Sequence, residues 1–197
     1  MFDRRIPKAA LGGTAALVAW GMLFWALLYE PAGVYHTLPD DAAVVAALRD
    51  SGTTTGTYFH PWPRATEAQM ASFLERHRQG PFFKLSYVAE GIDPQSPQKM
   101  LFGIFHNYCV ALLAACLLGL ALPALPLLRQ RTLLVFLAGW MGTLFIQVGD
   151  PVWFHLPWDF PLGSLIYELG SWALLGLTLG KLMPPTAPLA AATTASS

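Results

Sequence analysis

The chain has 197 residues, of which 54% are hydrophobic and 12% are charged, and its mean hydropathy is +0.45. Soluble domains carry about 25% charged residues, so this composition excludes an ordinary water-soluble globular protein. The formal net charge is zero and the sequence pI is about 7.0, so the composition offers no basic surface that would predict a nucleic-acid partner.

The first apolar segment, residues 9–29, predicts a transmembrane helix. Three basic residues, Arg4, Arg5 and Lys8, precede it. A retained anchor is favoured over a cleaved signal peptide, because the apolar run is about 20 residues long and no small-residue cleavage site follows it. Residues 1–29 are therefore predicted to form a cytoplasmic N-terminus and the first membrane helix.

The polar segment 30–100 predicts a small α/β insertion between the first and second membrane helices. Helical signals cover residues 40–50, which begin with acids, and the stretch after Thr66, where Gln69 completes a capping-box pattern. Aromatic and β-branched residues at 54–60 and 82–89 predict two strands. Because two strands alone make a marginal sheet, we expect this segment to be stabilised by contacts with the membrane helices, with lipid or with another protein.

Three further apolar segments, residues 101–128, 132–149 and 161–183, predict the second to fourth membrane helices. Their short connections favour antiparallel neighbours, so we expect these three helices to pack as one up-and-down set. Residues 184–197 are small and polar-leaning, which predicts a disordered cytoplasmic tail. The predicted fold is thus a mainly α membrane protein, a four-helix transmembrane bundle with a small α/β extracytoplasmic insertion between helices one and two, the bundle's last three helices occupying residues 101–183.

Basic residues beside the apolar segments predict the orientation of the chain. Three precede the first segment, Arg129 and Arg131 lie between the second and third, and Lys181 closes the fourth. The connection at residues 150–160 contains two acids and no Lys or Arg. Because short cytoplasmic loops carry an excess of Lys and Arg, both termini are predicted inside and residues 30–100 outside. A bacterial inner membrane is the predicted location.

Small residues on the last two segments predict close helix packing. Gly139 and Gly142 lie on the third segment, and Gly176 and Gly180 form a GxxxG pattern on the fourth. In membrane helices such glycines let two backbones approach each other. They would serve packing within this chain or against a partner.

Polar side chains in or beside the spans predict a pocket in the outer half of the bilayer, because ionisable residues at membrane depth are costly. The candidate pocket residues are His106, Gln147, Asp150, His155, Asp159 and Glu168. Such side chains would suit a metal ion, a quinone or a lipid headgroup. The interpretation that we favour is structural: these groups hydrogen-bond one another and hold the helices together.

The sequence contains no P-loop, dinucleotide fingerprint, GxSxG, HExxH or CxxC motif, and it assigns no catalytic residue or cofactor. Small size and the GxxxG pattern favour an accessory or structural subunit of a larger membrane complex, with lipids and other membrane subunits as partners. The alternative is a small ligand-binding membrane protein or enzyme that uses the polar pocket.

Overall fold

The structure is a computed structural model that describes residues 4–29, 35–62 and 66–185, with the side chains of residues 67 and 68 left out. The chain is mainly helical and has one small two-stranded sheet. It divides into two compact units. The first, called the helical unit, contains Met1–Tyr35, Gln95–Trp153 and Pro157–Ser197; the second, called the connecting unit, contains His36–Pro94 and Phe154–Leu156. Most of the predicted disordered tail, from residue 186 onward, lies outside the described residues.

The elements follow one another along the chain in the order helix, helix, strand, helix, strand and then four helices. Short turns of other helical types extend two of them, a π-helical turn after α1 and a 3₁₀ turn after α4. The bounds are α1 Arg5–Leu23 with its turn Phe24–Leu28, α2 Asp41–Asp50, β1 Gly56–His60, α3 Glu67–Gln79, β2 Phe83–Tyr87, α4 Pro97–Ala121 with its turn Leu122–Ala124, α5 Leu128–Gln147, α6 Gly149–Phe154 and α7 Asp159–Leu182.

Four helical stretches are long and apolar enough to cross a membrane. Their bounds are Arg5–Leu28, Pro97–Ala124, Leu128–Phe154 and Asp159–Leu182. The prediction of four membrane-length apolar helices is confirmed. The third stretch is longer than predicted, because α6 resumes the helix directly after the end of α5.

The helices of the helical unit do not pack in chain order. The first, α1, packs against both α4 and α7, and α5 packs against α7, whereas α4 and α5 share only a small contact. The expectation that the second, third and fourth spans pack as one consecutive set is therefore wrong. Small residues explain the arrangement, because a Cβ atom added at Gly13 would meet Leu175 of α7 at 2.7 Å and Ala111 of α4 at 3.2 Å.

The helical unit is packed most tightly at the end where α1 begins and α7 ends. Ile6, Ala10, Leu118, Leu179 and Met183 are all buried there. The Arg5 guanidinium also donates a hydrogen bond to the carbonyl of Pro184 at 2.8 Å, which joins the start of α1 to the segment that follows α7. The apolar core begins at this end and continues along the helices to Leu17, Ala111 and Leu175.

Arg131 lies inside the same tight end with 6% of its surface exposed. Its Nε donates to the Gly180 carbonyl at 3.0 Å, and its Nη1 donates to the carbonyls of Leu125 at 3.0 Å and Pro126 at 2.9 Å. Gly180 belongs to the last turn of α7, where free carbonyls form the negative end of the helix dipole. Arg131 thus stabilises the end of α7 and the turn before α5, whereas its neighbour Arg129 is exposed.

The connecting unit has the predicted order of helix, strand, helix and strand. β1 and β2 are antiparallel, with Gly56 opposite Tyr87 and His60 opposite Phe83. The predicted capping box of α3 is confirmed, since the Thr66 hydroxyl accepts from the Gln69 amide and the Gln69 side chain accepts from the Thr66 amide, both at 3.3 Å. α3 ends at Gly80, whose φ of 68° is in the left-handed region that favours glycine.

Thr55 connects the start of β1 to the end of β2. Its hydroxyl donates to a Glu90 carboxylate oxygen at 2.7 Å and accepts from the Ala89 amide at 2.9 Å. The Thr55 hydroxyl, with a backbone hydrogen bond, holds the pKa of Glu90 below its ordinary value. The stabilisation that this contact supplies is present above the ordinary carboxylate pKa and is lost as the pH falls through the lowered pKa.

Thr55→Val is expected to raise the pKa of Glu90 toward its ordinary value, because the main donor to the carboxylate is removed. An NMR pH titration of selectively labelled glutamate would measure the change. Thr57→Val, at an exposed residue of β1 two positions after Thr55, is the matched control and is expected to leave the Glu90 titration unchanged. Identical titrations in both variants would show that Thr55 does not perturb Glu90.

Candidate functional sites

A small polar cavity lies between α1, α4 and α7. Its volume is about 220 Å³, and it contains the side chains of two predicted pocket residues, His106 of α4 and Glu168 of α7. His106 is exposed and Glu168 is half-buried. The full lining consists of Leu17, His106, Asn107, Val110, Tyr167, Glu168, Ser171, Trp172 and Leu175.

A larger apolar groove separates α4 from α5, and α7 forms its floor. The volume of this lateral groove is about 430 Å³, which falls within the range of about 300–1,000 Å³ that is usual for ligand pockets. Its lining is Val110, Leu113, Ala114, Leu117, Val135, Ala138, Gly139, Gly142, Thr143, Glu168 and Trp172. The groove exists because α4 and α5 each pack on other helices and barely touch each other.

Glu168 and Trp172 stand between the two cavities and line both. They lie four residues apart on α7 and therefore share one helical face. The Trp172 indole Nε1 donates to the Thr143 hydroxyl of α5 at 3.0 Å. The carboxyl group of Glu168 lies close enough to Trp172, Thr143 and His106 to interact with all three. Glu168, Trp172 and Thr143 thus form a polar end to an otherwise apolar groove, and His106 approaches Glu168 from the polar cavity.

The glycines of α5 and α7 differ in what surrounds them. A Cβ atom at Gly139 would overlap the Trp172 ring, so this glycine makes room for the indole. At Gly176 it would lie 2.6 Å from the backbone carbonyl oxygen of Thr132, and at Gly180 it would lie 2.9 Å from Leu128. At Gly142 it would meet no atom within 4 Å. Three of the four candidate packing glycines therefore lie at close contacts, and Gly142 faces open space in the groove.

The other predicted pocket residues line neither of these two cavities. Gln147 is the last residue of α5, and Asp150 belongs to α6. Asp159 begins α7, where its carboxylate accepts from the Phe160 amide at 2.9 Å. His155 belongs to the connecting unit, where its ring centre lies 6.2 Å from that of His77. The structure therefore brings together His106 and Glu168.

Sequence reasoning did not single out Trp172 or Asn107 as site residues. Trp172 has a sequence signal, since it follows Glu168 by four residues and must share its face. Asn107 has a weaker sequence signal, because it is a single amide side chain in an apolar segment. Among the described parts of the chain, no group of three or more His, Cys, Asp or Glu side chains is placed to hold a metal ion.

The connecting unit has a sparse core and an apolar surface. Pro61 is the only buried residue among those whose side chains the structure describes in this unit, and α2 has no buried residue at all. Ring contacts around Phe59, to Trp62, Phe82 and Phe154, take the place of a core. The exposed large apolar residues of the unit are Leu38, Val44, Val45, Tyr58, Trp62, Met70, Leu74, Phe83, Val88, Ile92 and Phe154.

These observations define the chain as a mainly helical protein with four candidate membrane spans, a polar cluster between its helices and a connecting unit with an apolar surface. Protein-family models, curated proteins and solved structures give no match to the chain.

Proposed function

We propose that the chain is an accessory subunit of a larger membrane complex, in which the connecting unit binds a protein partner on the outer side of a bacterial inner membrane. The observation that carries the proposal is the exposed apolar surface of the connecting unit. Trp62 is 58% exposed and Leu38 57% exposed in a unit that has almost no core. Large apolar side chains that stay exposed together mark interaction sites.

The two-stranded sheet supports a protein partner. Within the described residues the sheet consists of β1 and β2 alone, so the outer edge of each strand has no neighbouring strand. Unpaired strand edges bind further strands through backbone hydrogen bonds. A partner strand would also enlarge a sheet that is marginal by itself.

Charge in the connecting unit favours a protein over the bilayer as the surface that covers it. Exposed ionic residues stand among the apolar ones, including Glu75 and Arg78 on α3, which form an ion pair of 3.8 Å. Inserting such groups into lipid would be costly. Protein interfaces, in contrast, combine an apolar centre with a polar rim.

The experiment is gentle extraction of the tagged chain from its own membrane, followed by native mass spectrometry of wild type and two variants. Val44→Lys introduces a charge into the apolar surface, and Ala46→Lys introduces the same charge elsewhere on α2. Because no residue of α2 is buried, both variants are expected to fold. The expected result is a stoichiometric partner that Ala46→Lys retains and Val44→Lys loses by about tenfold, as for an interface residue worth about 1.4 kcal/mol.

A lone chain or a homo-oligomer in the wild-type sample would contradict the accessory role. Equal retention of the partner by both variants would show that it binds elsewhere. A partner lost equally from both would mean that α2 tolerates no added charge, which also contradicts the proposed surface.

A further inference from the structure

The lateral groove between α4 and α5 lies on the surface of the helical unit. Leu113 on its α4 wall is 71% exposed, and Gly142 on its α5 wall is exposed as well. If the groove stayed empty, the apolar side chains that line it would lack van der Waals partners on one side. In a membrane an apolar chain is therefore the natural occupant of this groove.

The polar end of the groove restricts the head group of that occupant. A carboxyl group and a hydroxyl, from Glu168 and Thr143, are the hydrogen-bonding groups there besides the indole of Trp172. A carboxyl group keeps an acceptor oxygen in either protonation state. Among the lining residues, all within the described part of the chain, none is Lys, Arg or His. His106 lies on the other side of Glu168, in the polar cavity. A phosphate or carboxylate head group in the groove would therefore meet the Glu168 carboxyl group and no cationic lining residue.

We propose that the groove binds an amphiphile with one apolar chain and an uncharged or cationic head group that donates hydrogen bonds, such as a long-chain alcohol, amine or quinol. The chain lies between α4 and α5, and the head group donates to the carboxyl group of Glu168. The proposal concerns the helical unit alone and is independent of the partner of the connecting unit.

The floor of the groove is held in place by specific contacts. Trp172 packs on Gly139 and donates to Thr143, which holds the indole on the floor of the groove. Gly142, one turn further along α5, leaves the space above it open. A larger side chain at Gly142 would therefore enter the groove without disturbing the contact between α5 and α7.

The test uses a hexadecanol probe that carries a photoreactive diazirine at mid-chain, added to the full chain in phosphatidylcholine nanodiscs. The expected result is labelling of residues in the groove walls, such as Leu117 and Ala138, and its suppression by excess unlabelled hexadecanol. Gly142→Leu is expected to lower this labelling about tenfold, equivalent to about 1.4 kcal/mol of binding free energy. Gly103→Leu is the matched control, because Gly103 on α4 also meets no atom within 4 Å and does not line the groove.

The same probe with a carboxylate in place of the hydroxyl tests the head group. It is expected to label the groove less than the alcohol does. Glu168→Gln is expected to reduce the difference, because the glutamine amide supplies N–H donors from which a carboxylate head group can accept. Equal labelling of the wild type by both probes would overturn the assignment of the head group.

Labelling spread evenly over the lipid-facing sides of the four helices would show that the groove holds bulk lipid only, and it would overturn the proposal. Unchanged labelling in a folded Gly142→Leu variant would do the same. If that variant fails to fold, the proposal is tested on the wild type by competition with unlabelled hexadecanol. Groove labelling that persists in excess competitor would contradict a specific site.

Discussion

Arg131→Met is expected to destabilise the helical unit strongly. The substitution removes the three hydrogen bonds from the guanidinium to the carbonyls of Gly180, Leu125 and Pro126. Hydrogen bonds to charged groups contribute about 1.5–3 kcal/mol each, so a loss of roughly 3–5 kcal/mol is expected after allowance for non-additivity. Thermal denaturation in detergent, followed by the loss of the monodisperse peak in size-exclusion chromatography, would measure it.

Two further variants separate the geometry of Arg131 from its charge. Arg131→Lys keeps the positive charge near the end of α7 but loses the planar fork, so an intermediate loss of stability is expected. Arg129→Met removes the exposed neighbouring charge and is expected to change stability little. Equal denaturation temperatures for Arg129→Met and Arg131→Met would show that the buried hydrogen bonds do not stabilise the unit.

The second large effect is expected for Gly176→Ala. The added Cβ atom would lie 2.6 Å from the Thr132 carbonyl oxygen, and this neighbour is backbone and cannot rotate away. α5 must then move off α7, with which it makes most of its contacts. Overpacking of this kind costs about 1–3 kcal/mol, and the same denaturation assay would detect it.

Gly142→Ala is the matched control for Gly176→Ala. Both substitutions replace a helical glycine, but the Cβ atom at Gly142 would meet nothing within 4 Å. The control is expected to be as stable as the wild type, or more stable by up to about 1 kcal/mol, because alanine favours the helix over glycine. A destabilised Gly142→Ala variant alongside an unaffected Gly176→Ala variant would contradict the arrangement of α5 and α7.

The features that sequence reasoning predicted correctly depend on neighbours along the chain. The four membrane-length helices follow from runs of apolar residues, and the capping box follows from Thr66 and Gln69 three residues apart. The two strands around Thr57 and Leu85 follow from local composition. The bounds moved by a few residues, because helix ends depend on hydrogen bonds that local composition does not specify.

The candidate pocket shows that reasoning from the sequence does not predict which side chains of different helices meet. The prediction grouped polar residues by their expected position in the outer half of the bilayer, and the structure brings two of them, His106 and Glu168, together in one cavity. The prediction also included Gln147 and Asp150, which line neither cavity. Depth does not specify how one helix is rotated against another, and that rotation decides which side chains meet in a cavity.

By itself, the sequence determined the class of the protein: four apolar helices and a polar insertion of two helices and two strands, since both depend on local composition and periodicity. Only the tertiary structure decided that α1 lies between α4 and α7, and that α4 and α5 stand apart to leave a groove. The physical reason is that helix order depends on which small residues allow the closest approach. At Gly13 and Gly176, three-dimensional contacts between distant parts of the chain settle that question.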